Sequence, residues 1–291
     1  MLVPRFRCLA LVATVLAVAA CSGGAASQPP PAPAADFERI EHDSGARVGV
    51  YAVDTATGEE VAHRAGERFG YASAHKVFSS AAVLRQNAVD GLNRRVTYGR
   101  GDLVEHSPVT EKHVEGGMTL REVIEAAVHD SDNTAANLLF REIGGPAGLT
   151  AMMRSLGDAT THADRVETDL NHFAPGDIRD TTTPRTFGRS LRAVAVDHAL
   201  PPEERAVLDD VLRTNTSGAT LIRAAAPPGW QVGDKTGGTT DHGIRNDIAV
   251  LWPPQRAPIV LAVLTDKPAE HAAYDDAVVA RAAGAALAAL R

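Results

Sequence analysis

The sequence predicts a two-part fold: an α/β layer whose antiparallel sheet is built from both chain ends and flanked by helices, and an inserted all-α subdomain. Three observations predict it. Apolar, strand-like runs fall at 47–63 and again at 230–265, bounded by Gly or Pro. From Thr119 to about Gly218, apolar residues instead recur near helical period. Sheet segments at both ends of a helical middle imply one sheet packed against the insert, with the functional cleft at the seam.

Taken in order, residues 1–21 read as an export signal. Arg5 and Arg7 form the positive start, Leu9 to Ala20 the apolar run, and small residues precede Cys21. The run is too short to span a bilayer comfortably. Val18-Ala19-Ala20-Cys21 resembles a bacterial lipobox, which makes Cys21 a candidate lipidation site; an ordinary secretory signal cut nearby is the alternative. Residues 22–35, with Pro29, Pro30, Pro31 and Pro33, read as a semi-stiff tether.

The folded domain is expected over 36–291, its α/β part at about 36–68 and 215–291 and its helical part at about 69–214. A short helix starts at Asp36, and Arg47 to Asp54 with Glu60 to His63 form a hairpin across Thr55–Glu59. After Gly70 comes a buried helix carrying Val77, Phe78, Ala81, Ala82 and Leu84. Further helices are predicted at Met118–Ala127, Thr134–Ile143, Gly148–Leu156, Thr183–Val196 and Pro202–Leu212. Strands return at Trp230–Asp234, Ile244–Trp252 and Pro258–Thr265, and an alanine-rich helix closes the chain over His271–Leu290. No internal repeat is present.

The 291 residues carry 36 acidic and 29 basic side chains, a net charge of −7. Loss of Arg5 and Arg7 with the leader leaves 27 basic residues and a net charge of −9. That is no footprint for nucleic acid. Cys8 and Cys21 are the only cysteines, so the folded body has no disulfide and is held by its core. The 11 histidines show neither His-Glu-x-x-His nor paired cysteine spacing, and no Gly-rich phosphate loop appears. No metal or other cofactor is expected.

Ser73 and Lys76 lie three residues apart at the head of the buried helix, on one face. An isolated Ser-x-x-Lys is more often a cap followed by a solvated lysine. Lysine usage argues otherwise here: the chain has 25 arginines and four lysines, at 76, 112, 235 and 267. A desolvated lysine can give up its proton, which arginine cannot, so a lysine kept beside a serine is a candidate base. Near a helix start, free backbone N–H groups also favour developing negative charge.

Three more clusters bear on Ser73. Ser131-Asp132-Asn133 precedes a helical run and could simply cap it. Lys235-Thr236-Gly237-Gly238 follows a strand-like run and ends in residues small enough for a ligand to approach the backbone. Glu167 lies in a stretch of weak regular pattern running to Asp180.

Together these clusters, in this order, resemble the motif set of class A serine β-lactamases and penicillin-binding proteins. The likeness runs from about residue 36 to the end, and includes 107–113, 131–139 and 179–184. Glu167, Leu170 and Asn171 match the Glu-x-x-Leu-Asn element that separates class A from its penicillin-binding relatives. The resemblance implies a β-lactamase/transpeptidase-like fold and small β-lactam substrates. The chain would act as a monomer, exported and touching a membrane only through the lipid.

In that reading Ser73 is the nucleophile, with backbone N–H groups of Ser73 and Gly238 as oxyanion hole. Ser131 relays a proton to the departing nitrogen, with Lys76 and Lys235 close by. Asn133 binds the acylamino side chain, and Lys235 and Thr236 beside Gly237 hold the carboxylate. Glu167 and Asn171 position the hydrolytic water. Whether Lys76 or Glu167 starts acylation is disputed for the family; Glu167, acting through water beside a charged Lys76, is the reading taken here. Arg165 and Asp180 match the ion pair that closes the loop. Arg223, ahead of Arg245, is the expected second cation for the carboxylate, although either could be structural and paired with an acid such as Asp247. His106 stands where an aromatic wall is usual, and Ala74 and His75 replace the commoner residues inside Ser-x-x-Lys. A carboxypeptidase would share these motifs without needing Glu167, and a β-lactam sensor would stay acylated.

Overall fold

The computed structural model describes residues 1–2 and 32–290. The export signal beyond its first two residues, Cys21, and the tether to residue 31 lie outside the described residues. The first helix, α1 (Ala32–Ser44), starts four residues before the predicted Asp36. Alanine is the strongest helix former, and Pro33 falls in the first turn, where its missing N–H costs nothing. The last four tether residues are therefore helical.

Strands β1 (Arg47–Asp54) and β2 (Glu60–His63) form the predicted hairpin, followed by the short β3 (Phe69–Gly70). Two-residue strands β4 (Arg95–Val96) and β5 (Met118–Thr119) pair with each other, and β6 (Thr181–Thr182) pairs with β3. The C-terminal strands are β7 (Gln231–Thr239), β8 (Ile244–Trp252) and β9 (Ile259–Asp266). The main sheet has the order β2-β1-β9-β8-β7, antiparallel throughout. β1 lies against β9, with Tyr51 opposite Ala262, so the two chain ends share one sheet.

Both faces of that sheet are covered. Val48, Val50, Ala52, Ala249, Leu251, Ile259, Leu261 and Val263 face Phe37 and Ile40 of α1 and Val279, Ala283 and Leu287 of α9 (Asp276–Ala289). Tyr51, Val53, Ile248, Val250, Val260, Ala262 and Leu264 belong to the opposite core, shared with the helical insert. Burial on both faces removes the polar alternation expected of a half-solvated strand.

The insert is built around α2 (Lys76–Asn87), in which every residue from Lys76 to Leu84 is buried. A helix enclosed all round must sit at the centre of its layer. Around it lie α3 (Leu120–His129), α4 (Asn133–Ile143), α5 (Pro146–Ser155) and α7 (Pro202–Arg213). A Thr119–Glu122 capping box starts α3 and a left-handed Gly144 ends α4. The helix α6 (Pro184–Ala195) crosses back onto the sheet.

Besides α1, three boundaries depart most from the sequence reading. Ser73 lies in a 3₁₀ turn, Ala72–His75, and α2 begins only at Lys76. β7 continues to Thr239, because β8 pairs with it along its whole length, so Lys235-Thr236-Gly237 is inside the strand. α9 starts at Asp276 rather than His271, because the Asp275 side chain caps it by accepting from the Ala277 N–H at 2.9 Å.

Gly188 of α6 presses on Tyr51: a Cβ there would stand 2.5 Å from the ring. Gly188→Ala should cost about 1–3 kcal/mol by overpacking, lowering Tm by roughly 2–10 °C while leaving kcat unchanged. An unchanged melting curve would mean that the ring moves freely.

Candidate active site

The turn bearing Ser73 is held against the sheet at close quarters. A Cβ at Gly237 would lie 2.7 Å from the Tyr71 carbonyl oxygen and 3.0 Å from the Ala74 nitrogen, so only glycine lets β7 approach. Asn246 of β8 donates from Nδ2 to the carbonyls of Gly70, at 2.8 Å, and Tyr71, at 3.1 Å. Ser73 is thereby set in the wall of a cavity of about 730 Å³. Ser131, Asn133, Asn171, Thr236, Gly237, Gly238, Arg245 and His106 line the same cavity. Residues from six separate stretches of sequence thus converge on one space.

Directly behind the wall is a cluster of buried charges. Lys76, Glu167 and Lys235 are 0%, 3% and 0% exposed. Lys76 Nζ lies 3.1 Å from Glu167 Oε1, and donates to the Ser131 carbonyl at 2.7 Å and to Asn133 Oδ1 at 2.6 Å. Three close acceptors match the three protons of an ammonium. Burial lowers the pKa of Lys76, opposed by the charge of Glu167 and its hydrogen bond. Burial pushes the Glu167 carboxyl up, but Lys76 and then His75 outweigh it and hold the group down to about 2. Lys235 is pushed down to about 7, first by burial and then by Lys76. Its Nζ donates to Ser131 Oγ at 3.2 Å, and Ser131 Oγ is 3.4 Å from Lys76 Nζ. Ser131 therefore bridges the two amines.

Glu167 is fixed by two asparagines. Asn171 Nδ2 donates to Glu167 Oε2 at 2.6 Å. Asn137 of α4 clamps the backbone, accepting from Glu167 N at 2.9 Å and donating to Glu167 O at 2.8 Å. Farther along the loop Asp180, 1% exposed, accepts from Arg165 Nε at 2.5 Å, from the N–H groups of Asp164 and Arg165, and from Tyr71 OH at 3.1 Å. The predicted pair is therefore a buried hub that ties the loop to the Ser73 turn.

Within Ser131-Asp132-Asn133 the roles divide. Asp132 is the cap: its carboxylate accepts from Ala135 N, Val109 N and Thr110 N, at 2.8–3.0 Å. Ser131 and Asn133 turn towards the amines. Ala72, His106 and Ser131, all at the site, and Asp180 have positive φ, from 45° to 60°. Non-glycine residues in that region are costly and gather where the surroundings over-determine them.

The two arginine candidates separate, against the sequence preference. Arg223, in the short α8 (Ile222–Ala225), pairs with the buried Asp234 and is not part of the cavity wall. Arg245 lines the cavity while Nε donates to Asp276 Oδ1 at 2.7 Å and the guanidinium lies over Tyr274. Neither pairs with Asp247, whose Oδ2 accepts from Ile222 N. Sequence reasoning also missed Asn137, Ser217 and His75. Ser217 lines the cavity, its Oγ 3.2 Å from Thr236 Oγ1. A polar residue one helical turn from Asn133 was the available signal for Asn137. Among the described residues no group of three or more His, Cys, Asp or Glu side chains is arranged to hold a metal, and no helix is long and apolar enough to cross a membrane.

Comparison with known proteins gives a consistent result. The profile of the beta-lactamase enzyme family matches residues 32–290. A beta-lactamase of Amycolatopsis lactamdurans is 51% identical over 92% of this chain and 88% of its own length. One from Bacillus amyloliquefaciens is 49% identical over 86% of this chain and 82% of its own. The crystal structure of a class A beta-lactamase from Clostridium kluyveri superposes with a TM-score of 0.86 at 41% identity, over 88% of this chain and 97% of that one.

Removing the charge of Asp180 should be expensive. Asp180→Asn leaves the Arg165 guanidinium and three other donors facing an amide, an expected loss of about 3 kcal/mol on chemical denaturation. Turnover should fall as well, because the loop also carries Glu167, which is packed against Lys76. Wild-type stability with wild-type turnover would show that the hub is dispensable.

Proposed function

We infer the reaction route from the family: the chain belongs to the beta-lactamase enzyme family, is class A by its structural neighbours, and is a β-lactam hydrolase. In the proposed cycle Ser73 attacks the lactam carbonyl and forms an acyl-enzyme. The backbone N–H groups of Ser73 and Gly238 stabilise the oxyanion. The carboxylate of the substrate binds Lys235 and Thr236, with Arg245 as second cation. An arriving anion favours the charged form of Lys235, which burial alone disfavours. Asn133 receives the acylamino side chain, and His106 with Gly237 shapes the walls.

The proton route follows from the buried Lys76–Glu167 pair, the single observation that carries this reading. An ammonium that already donates to three acceptors has no lone pair with which to take the Ser73 proton. Glu167 takes it instead, through a water molecule. Ser131 passes a proton from the Lys76 ammonium to the departing lactam nitrogen, and the proton on Glu167 then returns to Lys76, so both groups regain their resting charge before the second half-reaction. In the second half-reaction Glu167, oriented by Asn171, deprotonates the water that attacks the ester, and Ser73 recovers its proton.

Export, and attachment to a membrane through a lipid on Cys21, are read from the leader alone. Every group in the cycle comes from one chain, in keeping with a monomer.

A chromogenic cephalosporin tests the cycle. The wild type should turn over repeatedly. Glu167→Gln should give one stoichiometric burst, slowed about 10²–10⁴-fold, and then stop. A burst at the wild-type rate would assign the first proton transfer to Lys76. Continued turnover at the wild-type rate would remove Glu167 from the cycle. For the leader, Cys21→Ser should move the protein from the membrane fraction to the soluble one; retention would count against the lipid.

A further inference from the structure

His75, inside the Ser-x-x-Lys turn, has no part in the cycle above, yet it is 1% exposed and its Nε2 lies 3.4 Å from Glu167 Oε1. Its ring stacks on Phe140 of α4, centroids 5.0 Å apart, and tilts against Tyr71. Its Nδ1 is buried without a hydrogen-bond partner. The charged groups that act on it are Glu167 from the loop, Lys76 from α2 and, at longer range, Lys235 from β7.

Only one protonation state suits these surroundings. A proton on Nδ1 would bury an unpaired N–H and aim the Nε2 lone pair at a carboxylate. An imidazolium would bury the same unpaired N–H and add a third cation beside Lys76 and Lys235. Burial, with those two lysines, lowers the pKa of the ring, and Glu167 only partly opposes them. The neutral ring with its proton on Nε2 leaves just a weak acceptor unsatisfied and turns a donor to Oε1. The 3.4 Å separation is long for a hydrogen bond, in keeping with an oxygen shared with Lys76.

We propose that His75 is a positioning residue for hydrolysis: as a neutral Nε2–H donor it shares Glu167 Oε1 with Lys76, fixes the carboxylate, and keeps it ionised while Lys76 takes part in proton relay. Glu167 has three donors at rest: Lys76, His75 and Asn171. When the ammonium is engaged elsewhere, His75 and Asn171 remain, one on each oxygen. The assignment rests on Glu167 being the base of the hydrolytic step.

The test is the pH dependence of kcat for a substrate limited by hydrolysis of the acyl-enzyme. His75→Phe keeps an aromatic ring against Phe140 and removes the donor. Its acidic limb should move up by about one pH unit, the equivalent of one hydrogen bond to a charged group, with little change in KM. His75→Gln restores an N–H and should bring the limb back. An identical limb in all three proteins, or a pH-independent loss shared by both variants, overturns the assignment and leaves the ring a packing element. Should His75→Phe not fold, nitrogen NMR of the wild-type ring decides: the neutral Nε2–H tautomer from pH 5 to 8 supports the proposal, and Nδ1–H or imidazolium overturns it. Lost hydrolysis in Glu167→Gln with an unmoved limb in His75→Phe overturns the His75 role alone. Unimpaired hydrolysis in Glu167→Gln overturns the role of Glu167 and this inference with it.

Discussion

The ion pair between Lys76 and Glu167 is the constraint around which the site is arranged. Two opposite charges taken out of water lose several kcal/mol of solvation each, and their attraction repays this only with good geometry and further hydrogen bonds. The surrounding residues supply those bonds. The Ser131 carbonyl and Asn133 complete the ammonium, Asn171 completes the carboxylate, and Asn137 fixes the backbone of Glu167. Three chain segments far apart in sequence must meet for the pair to be tolerated at all, so the charge cluster works as a registration device between α2, α4 and the loop.

The sheet supplies the remaining wall under a different constraint, that of close approach. A glycine at 237 and the Asn246 amide bring β7 and β8 against the turn before α2. This places the amine of Lys235 near that of Lys76, a repulsive arrangement that lowers the pKa of Lys235 in addition to burial. Positive φ angles at Ala72, His106 and Ser131 mark backbone bent away from its preferred region along this seam. The site thus combines two expensive features, concentrated charge and unfavourable backbone, both held by the apolar layers on either side.

Much of the fold was legible because its strands are uninterrupted apolar runs with clear breakers. β1, β2 and β8 have the boundaries read from sequence. Errors arose where tertiary contacts overrode local signals: β7 extends past Lys235 because its partner strand continues, and α1 gains a turn from alanines that looked like linker. Within the site, chemistry-bearing residue types in fixed spacing drew attention to Ser73, Lys76, Ser131, Lys235 and Glu167, and the fold brings them together. The choice between Arg223 and Arg245 was not legible, since nothing local says which arginine meets a buried acid. Asn137 escaped because it reads as an ordinary member of a helical pattern, and His75, noted only as an unusual residue inside Ser-x-x-Lys, shows no role until its neighbour Glu167 across the fold is known.

The scarcity of lysine has a practical side. Of the four lysines, Lys76 and Lys235 are sealed from solvent, whereas Lys112 is exposed and Lys267 half-buried. An amine-selective reagent applied to the folded protein would therefore find, among the lysines, only two handles, neither of them in the wall of the cavity that Ser73 lines. Dyes, surfaces or crosslinkers could be attached there while the chemistry behind the cavity wall stays untouched.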